Sequence, residues 1–229
     1  DMVEDQKRFI SDASHELRTP ITALKTTLEV GLRDKNMSLK EAKILVSQNL
    51  EDVNKLQQLT DTLLQLSEFQ QNHRQTAEVI KVSQLVKDAL AKVKPLAKLK
   101  KITIRTAIDE TIIVGDKQSL QNVLVILLDN AIKYSSLLGK IEIIGKQQNN
   151  QVLLSVTDHG EGIKPKDLPH IFGRFYRADA ARSKHNGDGY GLGLAIAQRI
   201  ISGHNGSIEV TSKIGQGSTF TIKLPLKKA

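Results

Sequence analysis

The chain has 229 residues, 39% of them hydrophobic and 25% charged, the composition of an ordinary globular protein with room for one large domain or two modest ones. Its longest apolar run, Val123 to Leu128, falls well short of the ~18 residues that cross a bilayer, and the lack of Cys excludes disulfides and thiolate metal sites and suits a reducing, cytoplasmic compartment. The net charge is +8, with nine basic and twelve acidic side chains in residues 1–68 (−3) and 24 and 13 in residues 69–229 (+11), so the second part suits an anionic ligand. Eight aromatic residues, none of them Trp, provide no stacking platform for single-stranded nucleic acid, and no nucleic-acid partner is expected. The start, Asp1-Met2-Val3-Glu4-Asp5, is acidic, unlike a secretory leader. Without an initiator Met, the chain is expected to be a fragment of a longer protein.

Residues 1–68 predict two long helices. Ile10, Leu17, Ile21, Leu24 and Leu28 recur at spacings of seven, four, three and four, and Val46, Leu50, Val53, Leu56, Leu59, Leu63 and Leu66 repeat the rhythm as a heptad-like seam. Residues 31–38, with Gly31, Asp34 and Asn36, predict the turn between them. Ser38 caps the second helix, and Glu41 completes a capping box. Two amphipathic helices bury too little alone, so the hairpin is expected to pair with a second copy as a dimeric four-helix bundle. Residues 69–78 are polar and Gln-rich and read as a linker.

From Val79 the periodicity changes. Strands are predicted at 102–106, 111–114, 140–145, 152–157, 207–211 and 218–224, and helices at 83–99, 116–134 and 192–202. Asp116 after Gly115 is a candidate N-cap, and Gly215-Gln216-Gly217 a hairpin turn. The expected organisation is α plus α/β. A dimerisation hairpin at 1–68 and the linker 69–78 lead into an α/β two-layer sandwich at 79–229, one sheet under a helical layer.

Five motifs carry candidate chemistry. In Ser14-His15-Glu16-Leu17-Arg18-Thr19-Pro20, His15 lies off the apolar seam and faces solvent, where a neutral imidazole is a nucleophile if a partner holds its other nitrogen. Glu16 is the adjacent partner, working as the Asp of a serine-protease triad does. Thr19, one turn on, shares the face of His15. Pro20 removes a helical hydrogen bond beside it and is expected to bend the helix. In Leu127-Leu128-Asp129-Asn130-Ala131-Ile132-Lys133-Tyr134, the Asn130 amide oxygen is a hard ligand of the kind Mg²⁺ takes alongside water and phosphate, and Lys133 reaches a phosphate. Asp158-His159-Gly160-Glu161-Gly162-Ile163 sets a carboxylate at a strand end, able to accept from an exocyclic amine, beside glycines that admit a flat ring. Gly187-Asp188-Gly189-Tyr190-Gly191-Leu192-Gly193-Leu194 opens a helix with N–H groups free for phosphate; it is neither a Walker A loop nor a Rossmann fingerprint. Ile171-Phe172-Gly173-Arg174-Phe175-Tyr176-Arg177 and the polar stretch to Asn186 read as a lid on which Arg174, Arg177, Arg182 and Lys184 meet phosphates. Taken singly, each motif also reads as an ordinary surface His, helix end or glycine turn.

In their order along the chain the five are decisive. The chain resembles the sensor histidine kinases of bacterial two-component systems over nearly its whole length. Residues 9–24 are similar to that family's H box, 127–134 to its N box, 158–163 and 187–194 to its glycine boxes, and 172–175 to its F box. The resemblance implies that residues 79–229 bind ATP with Mg²⁺ in the fold shared with gyrase and a heat-shock chaperone. It makes His15 the phosphoacceptor, Glu16 its base partner, and Thr19 the position used to dephosphorylate the regulator. Asn130 holds the metal and Asp158 the adenine amine. Lys133, Tyr134, Gly160, Gly162, Ile163, Phe175, Arg177, Tyr190 and Leu192 line the nucleotide site, and Gly189, Gly191 and Gly193 cradle the phosphates. It further implies a homodimer, a cognate response regulator that accepts the phosphoryl group on an aspartate, and a full-length protein anchored in the cell membrane. Family members usually carry a second Asn one turn before Asn130, where this chain has Ile126. Relatives that hydrolyse ATP with water carry a Glu there, and an Ile activates no water, which favours transfer over hydrolysis. A gyrase-type ATPase switch and a non-enzymatic scaffold are the alternatives.

Overall fold

The computed structural model describes residues 2–71, 77–178 and 189–226, except the side chains of 2–9 and 65–71. The chain divides into two units, Asp1–Gln70 and Gln71–Ala229.

The first unit is a helical hairpin. α1 spans Met2–Arg33 and α2 Leu39–Gln71. The turn is shorter than expected, because α1 runs on through Gly31. A Cβ on Gly31 would stand 2.6 Å from Leu45 Cδ1, so this glycine lets α2 approach α1. Asp34 then makes the turn, its carboxylate accepting from Asn36 N–H at 2.9 Å. The predicted capping box is present. Glu41 Oε2 accepts from the Ser38 amide at 2.8 Å and from its hydroxyl at 2.6 Å, and Ser38 Oγ accepts from Glu41 N–H at 3.3 Å.

The predicted seam needs one correction. In the first half of α2 the inward row is Leu45 and Asn49, continuing to Leu56, Leu59 and Leu63 at heptad spacing. Val46, Leu50 and Val53 lie one position over and are 62%, 60% and 48% exposed, whereas Leu59 is fully buried. The inward row holds the polar Asn49 where the row beside it holds Leu50, so hairpin closure rather than apolarity decides which row the neighbouring helix covers. Ile10, Ile21 and Leu28 of α1 are also exposed.

The second unit begins with β1 (Glu78–Lys81), which pairs antiparallel with β3 (Ile112–Gly115). The sequence reading missed β1. It is four residues long, and its partner lies more than thirty residues away. α3 (Val82–Leu99), β2 (Thr103–Ile108), α4 (Lys117–Tyr134), β4 (Lys140–Gln148), β5 (Gln151–Asp158), α5 (Gly193–Gly203), β6 (Ser207–Lys213) and β7 (Gly217–Pro225) complete it, with a 3₁₀ turn at Leu168–His170. The main sheet has the order β2-β4-β5-β7-β6, β2 parallel to β4 and the other neighbours antiparallel. The predicted strands and helices are all present, with ends shifted by a few residues.

Alternation along the strands makes one face the core. In β5, Val152, Leu154 and Val156 are buried and the residues between them half-buried; in β7 the same holds for Phe220, Ile222 and Leu224. α3, α4 and α5 supply the helical layer through Leu85, Val93, Leu124, Leu127, Ile196 and Ile200. As predicted, Asp116 caps α4, its carboxylate accepting from Ser119 N–H at 2.9 Å. His204, after α5, binds the same corner. Its Nε2 accepts from the Asp116 N–H at 3.0 Å while Nδ1 faces Ile200 O at 2.8 Å, so the ring is neutral with its proton on Nδ1.

Candidate functional site

Each unit holds one candidate centre. On α1, His15, Glu16 and Thr19 are all exposed, so the imidazole is open to a reaction partner. The Thr19 hydroxyl donates to the His15 carbonyl at 3.2 Å, which uses its hydrogen inside the helix and leaves its lone pairs outward. α1 continues through Pro20 without a break, and Pro20 supplies no N–H to the Glu16 carbonyl.

In the second unit, three chain segments converge at one end of the sheet. β5 delivers Asp158, 5% exposed, on its core-facing side. Burial raises the Asp158 carboxyl above its ordinary value, against backbone N–H groups of Gly160 and Ser218 that lower it. The Gly160 N–H bond to Oδ1 is 2.8 Å. α4 delivers Asn130, Lys133 and Tyr134 on its last turns. It meets the turn after Asp158 through the Glu161 N–H to Tyr134 O bond of 3.3 Å. Gly160 is needed at that contact, because a Cβ there would stand 2.1 Å from Tyr134 O.

The glycine-rich loop is the third segment. A Cβ on Gly189 would lie 3.8 Å from Lys133 Nζ, and one on Gly193 would lie 3.2 Å from Ile126 Cγ2. The residue that departs from the family pattern therefore packs under the start of α5. Gly191 has φ +71°, and a Cβ there would stand 2.6 Å from Tyr176 O. It thus joins this loop to the aromatic segment 172–176 with a backbone shape that disfavours side chains. Phe175 also has positive φ, +59°, rare for a bulky residue and typical of a strained functional segment. Tyr176 donates its hydroxyl to the buried Asp167 at 2.8 Å. Tyr190 and Arg177 are half-buried, and Leu192 is buried and contributes to the core rather than to an open surface. Of the predicted lid, residues 179–186 with Arg182 and Lys184 lie outside the described residues, as do Gly187 and Asp188 of the glycine loop and 72–76 of the linker.

Gly162 and Ile163 are held from the β6–β7 hairpin. Gly162 has φ +71°, and a Cβ there would meet Lys213 O at 2.2 Å. The Ile163 N–H donates to Ser212 Oγ at 2.8 Å, and that hydroxyl donates to Gly217 O at 2.9 Å. Sequence reasoning missed Ser212, a serine inside a strand with no local signal. Among the described residues no group of three His, Cys, Asp or Glu side chains surrounds a metal position. The Asn130 amide oxygen on α4 is of the kind that suits a cation carrying its own water and phosphate ligands.

A compact α/β unit with an acid at a strand end, a glycine loop opening a helix and a basic helix end between them defines a nucleotide-binding ATPase domain. The comparisons agree. Residues 115–228 match the family of histidine kinase-, DNA gyrase B-, and HSP90-like ATPases, and residues 5–72 match the His Kinase A (phospho-acceptor) domain. Sensor histidine kinase YkoH of Bacillus subtilis (strain 168) is 35% identical over 226 residues, 96% of this chain and 48% of that relative. The solved structure of Acinetobacter baumannii histidine kinase AdeS matches at TM-score 0.75 and 30% identity, covering 93% of this chain and 98% of that one. Histidine kinase ThkA in complex with response regulator protein TrrA shares the fold at TM-score 0.80 and 20% identity, over 99% of this chain and 63% of that one. The chain belongs to the two-component sensor histidine kinases. It spans about half the length of the curated relatives it matches.

Proposed function

We propose that this chain is the autokinase core of a sensor histidine kinase, which transfers the γ-phosphoryl group of ATP to His15 and then to an aspartate of a response regulator. The observation that carries the reading is the convergence of Asp158, the end of α4 and the glycine loop in one unit. The exposed His15 stands on the helix of the other. In this reading residues 1–68 dimerise and accept phosphate, 69–78 link, and 79–229 bind ATP.

Asp158 accepts the exocyclic amine of adenine, its buried carboxylate excluding water from that bond. Lys133 and the N–H groups from Gly189 to Gly193 take the phosphates at the amino end of α5. The Asn130 amide would hold Mg²⁺, which would supply charge neutralisation at the transferring group. The neutral His15 imidazole attacks the γ-phosphorus. A P–N bond forms as the bond to the ADP oxygen breaks, and Glu16 stabilises the charge that develops on the ring. In the second transfer a regulator carboxylate attacks the same phosphorus and the P–N bond breaks. Thr19, with its lone pairs outward, positions a water for hydrolysis of the regulator's acyl phosphate. The exposed aliphatic residues Ile10 and Ile21 of α1 and Val46, Leu50 and Val53 of α2 support a homodimer that covers them. No helix among the described residues is long and apolar enough to cross a membrane; anchoring in the bacterial membrane, with this core in the cytoplasm, is proposed for the full-length protein.

Incubation with γ-labelled ATP and Mg²⁺ tests the reading. The expected label is acid-labile and alkali-stable, and His15→Gln abolishes it while nucleotide binding is retained. Label persisting in His15→Gln sinks the assignment. Steady phosphate release without a phosphoenzyme supports the ATPase switch instead, and a folded chain that binds no ATP supports the scaffold.

A further inference from the structure

The carbonyls of a helix's last turn have no intrahelical partner and must find donors elsewhere. In α4 each of them does. Ala131 O accepts from Ser135 N–H at 3.1 Å and Tyr134 O from Glu161 N–H at 3.3 Å. The two between them, Ile132 O and Lys133 O, accept from the ammonium of Lys100 at 3.0 and 2.7 Å, and Ser135 O lies 3.4 Å from the same nitrogen. Lys100 comes from a different helix, and its charge sits where the α4 dipole is negative.

The base on which Lys100 stands is rigid. It is the C-cap of α3, with its N–H on Leu96 O at 3.3 Å and its own carbonyl accepting from Leu138 N–H at 3.0 Å. Lys101 follows in the left-handed region at φ +52°, and Ile102 N–H returns to Ala97 O at 2.9 Å, the closure of a Schellman ending. A basic residue in a helix's own last turn ordinarily serves its carbonyls. In α4 that residue is Lys133. Its ammonium lies 5.5 Å from the Tyr134 ring centroid and 3.8 Å from where Gly189 would carry a Cβ. Capping is delegated to Lys100, and Lys133 is turned to the glycine loop.

We infer that Lys100 is a positioning residue of the nucleotide site, setting the last turn of α4 so that Asn130, Lys133 and Tyr134 are presented to the nucleotide. The inference rests on the nucleotide reading above. Without the ammonium, two part-buried carbonyls lose their donor and the last turn frays.

The test measures the dissociation constant of ADP with Mg²⁺ by calorimetry on the whole chain, beside the thermal unfolding midpoint. Lys100→Met is expected to weaken ADP binding about tenfold, and Lys100→Arg, which keeps a cationic donor, to stay within about threefold of the parent. Ile208→Val, a core change in β6, serves as a control for lost stability alone and is expected to leave ADP affinity unchanged. If Lys100→Met binds as the parent does, or loses no more affinity than a control variant of equal unfolding midpoint, the inference is overturned. Should Lys100→Met fail to fold, Lys100→Gln is judged by the same comparison. Asn130→Ala separates the two readings. If it leaves ADP affinity intact, the nucleotide assignment itself falls; if it weakens ADP and Lys100→Met does not, only the role of Lys100 falls.

Discussion

Asp158 shows how one side chain is placed against its own solvation for a purpose. Burial raises its carboxyl despite the N–H groups of Gly160 and Ser218, so between the ordinary carboxyl value and the raised one the folded state holds a proton that the unfolded state has released. Stability therefore falls as pH rises through that window, and at neutral pH the ionised carboxylate opposes folding. Asp158→Asn is expected to raise the unfolding midpoint at pH 7, with an advantage that shrinks below about pH 4. The same variant presents an amide where the proposed adenine contact needs an acceptor, and ADP binding is expected to weaken by at least about tenfold. Melting curves at both pH values and calorimetry at neutral pH check the pair of effects. A variant that loses stability at neutral pH would contradict the sign.

The helices and strands show where local chemistry suffices and where it does not. Caps were readable because they act within one turn. Asp116 serves Ser119, and Ser38 exchanges bonds with Glu41. Asp116→Ala is expected to cost about 1 kcal/mol in urea unfolding monitored by circular dichroism. The His204 bond to the Asp116 amide should persist, since it uses the backbone. β1 was not readable, because a four-residue strand is specified by its partner β3 and not by its own pattern. The inward row of α2 was displaced by one position in its first half for a related reason. Leu45 and Val46 are both apolar, and the close approach at Gly31 selects Leu45. In α1, the hydroxyls of Thr19, Thr22, Thr26 and Thr27 all bond the carbonyl one turn back, a habit that slightly weakens and bends helices, here beside the proposed phosphoacceptor His15.

At the scale of the molecule, the hairpin is incomplete as a single copy. Val46, Leu50 and Val53 stand exposed on one side of α2, and Ile10 and Ile21 are exposed on α1, aliphatic surface of the kind a partner covers. The chain is expected to sediment at twice its 25.3 kDa mass. Leu50→Glu should shift it toward the single mass by placing a charge in the covered row, without unfolding the ATP-binding unit. Sedimentation equilibrium of both proteins decides this, and a monomeric parent would remove the dimer from the proposal.

The sequence by itself determined the family and the order of elements, because five short motifs in one order along the chain carry the resemblance even though each taken singly is an ordinary local pattern. His15 with Glu16, Asn130 with Lys133, and Asp158 with its glycines were legible as candidates because each pair or run lies within one turn or one loop. What only the tertiary structure decided is what holds those motifs together. Lys100 closes α4, Ser212 receives Ile163, His204 ties α5 to the cap of α4, and Ile126 packs beneath Gly193. Each of these joins residues more than thirty positions apart, and a single Lys, Ser or His in a helix end or strand has no local pattern to announce the partner that folding brings to it.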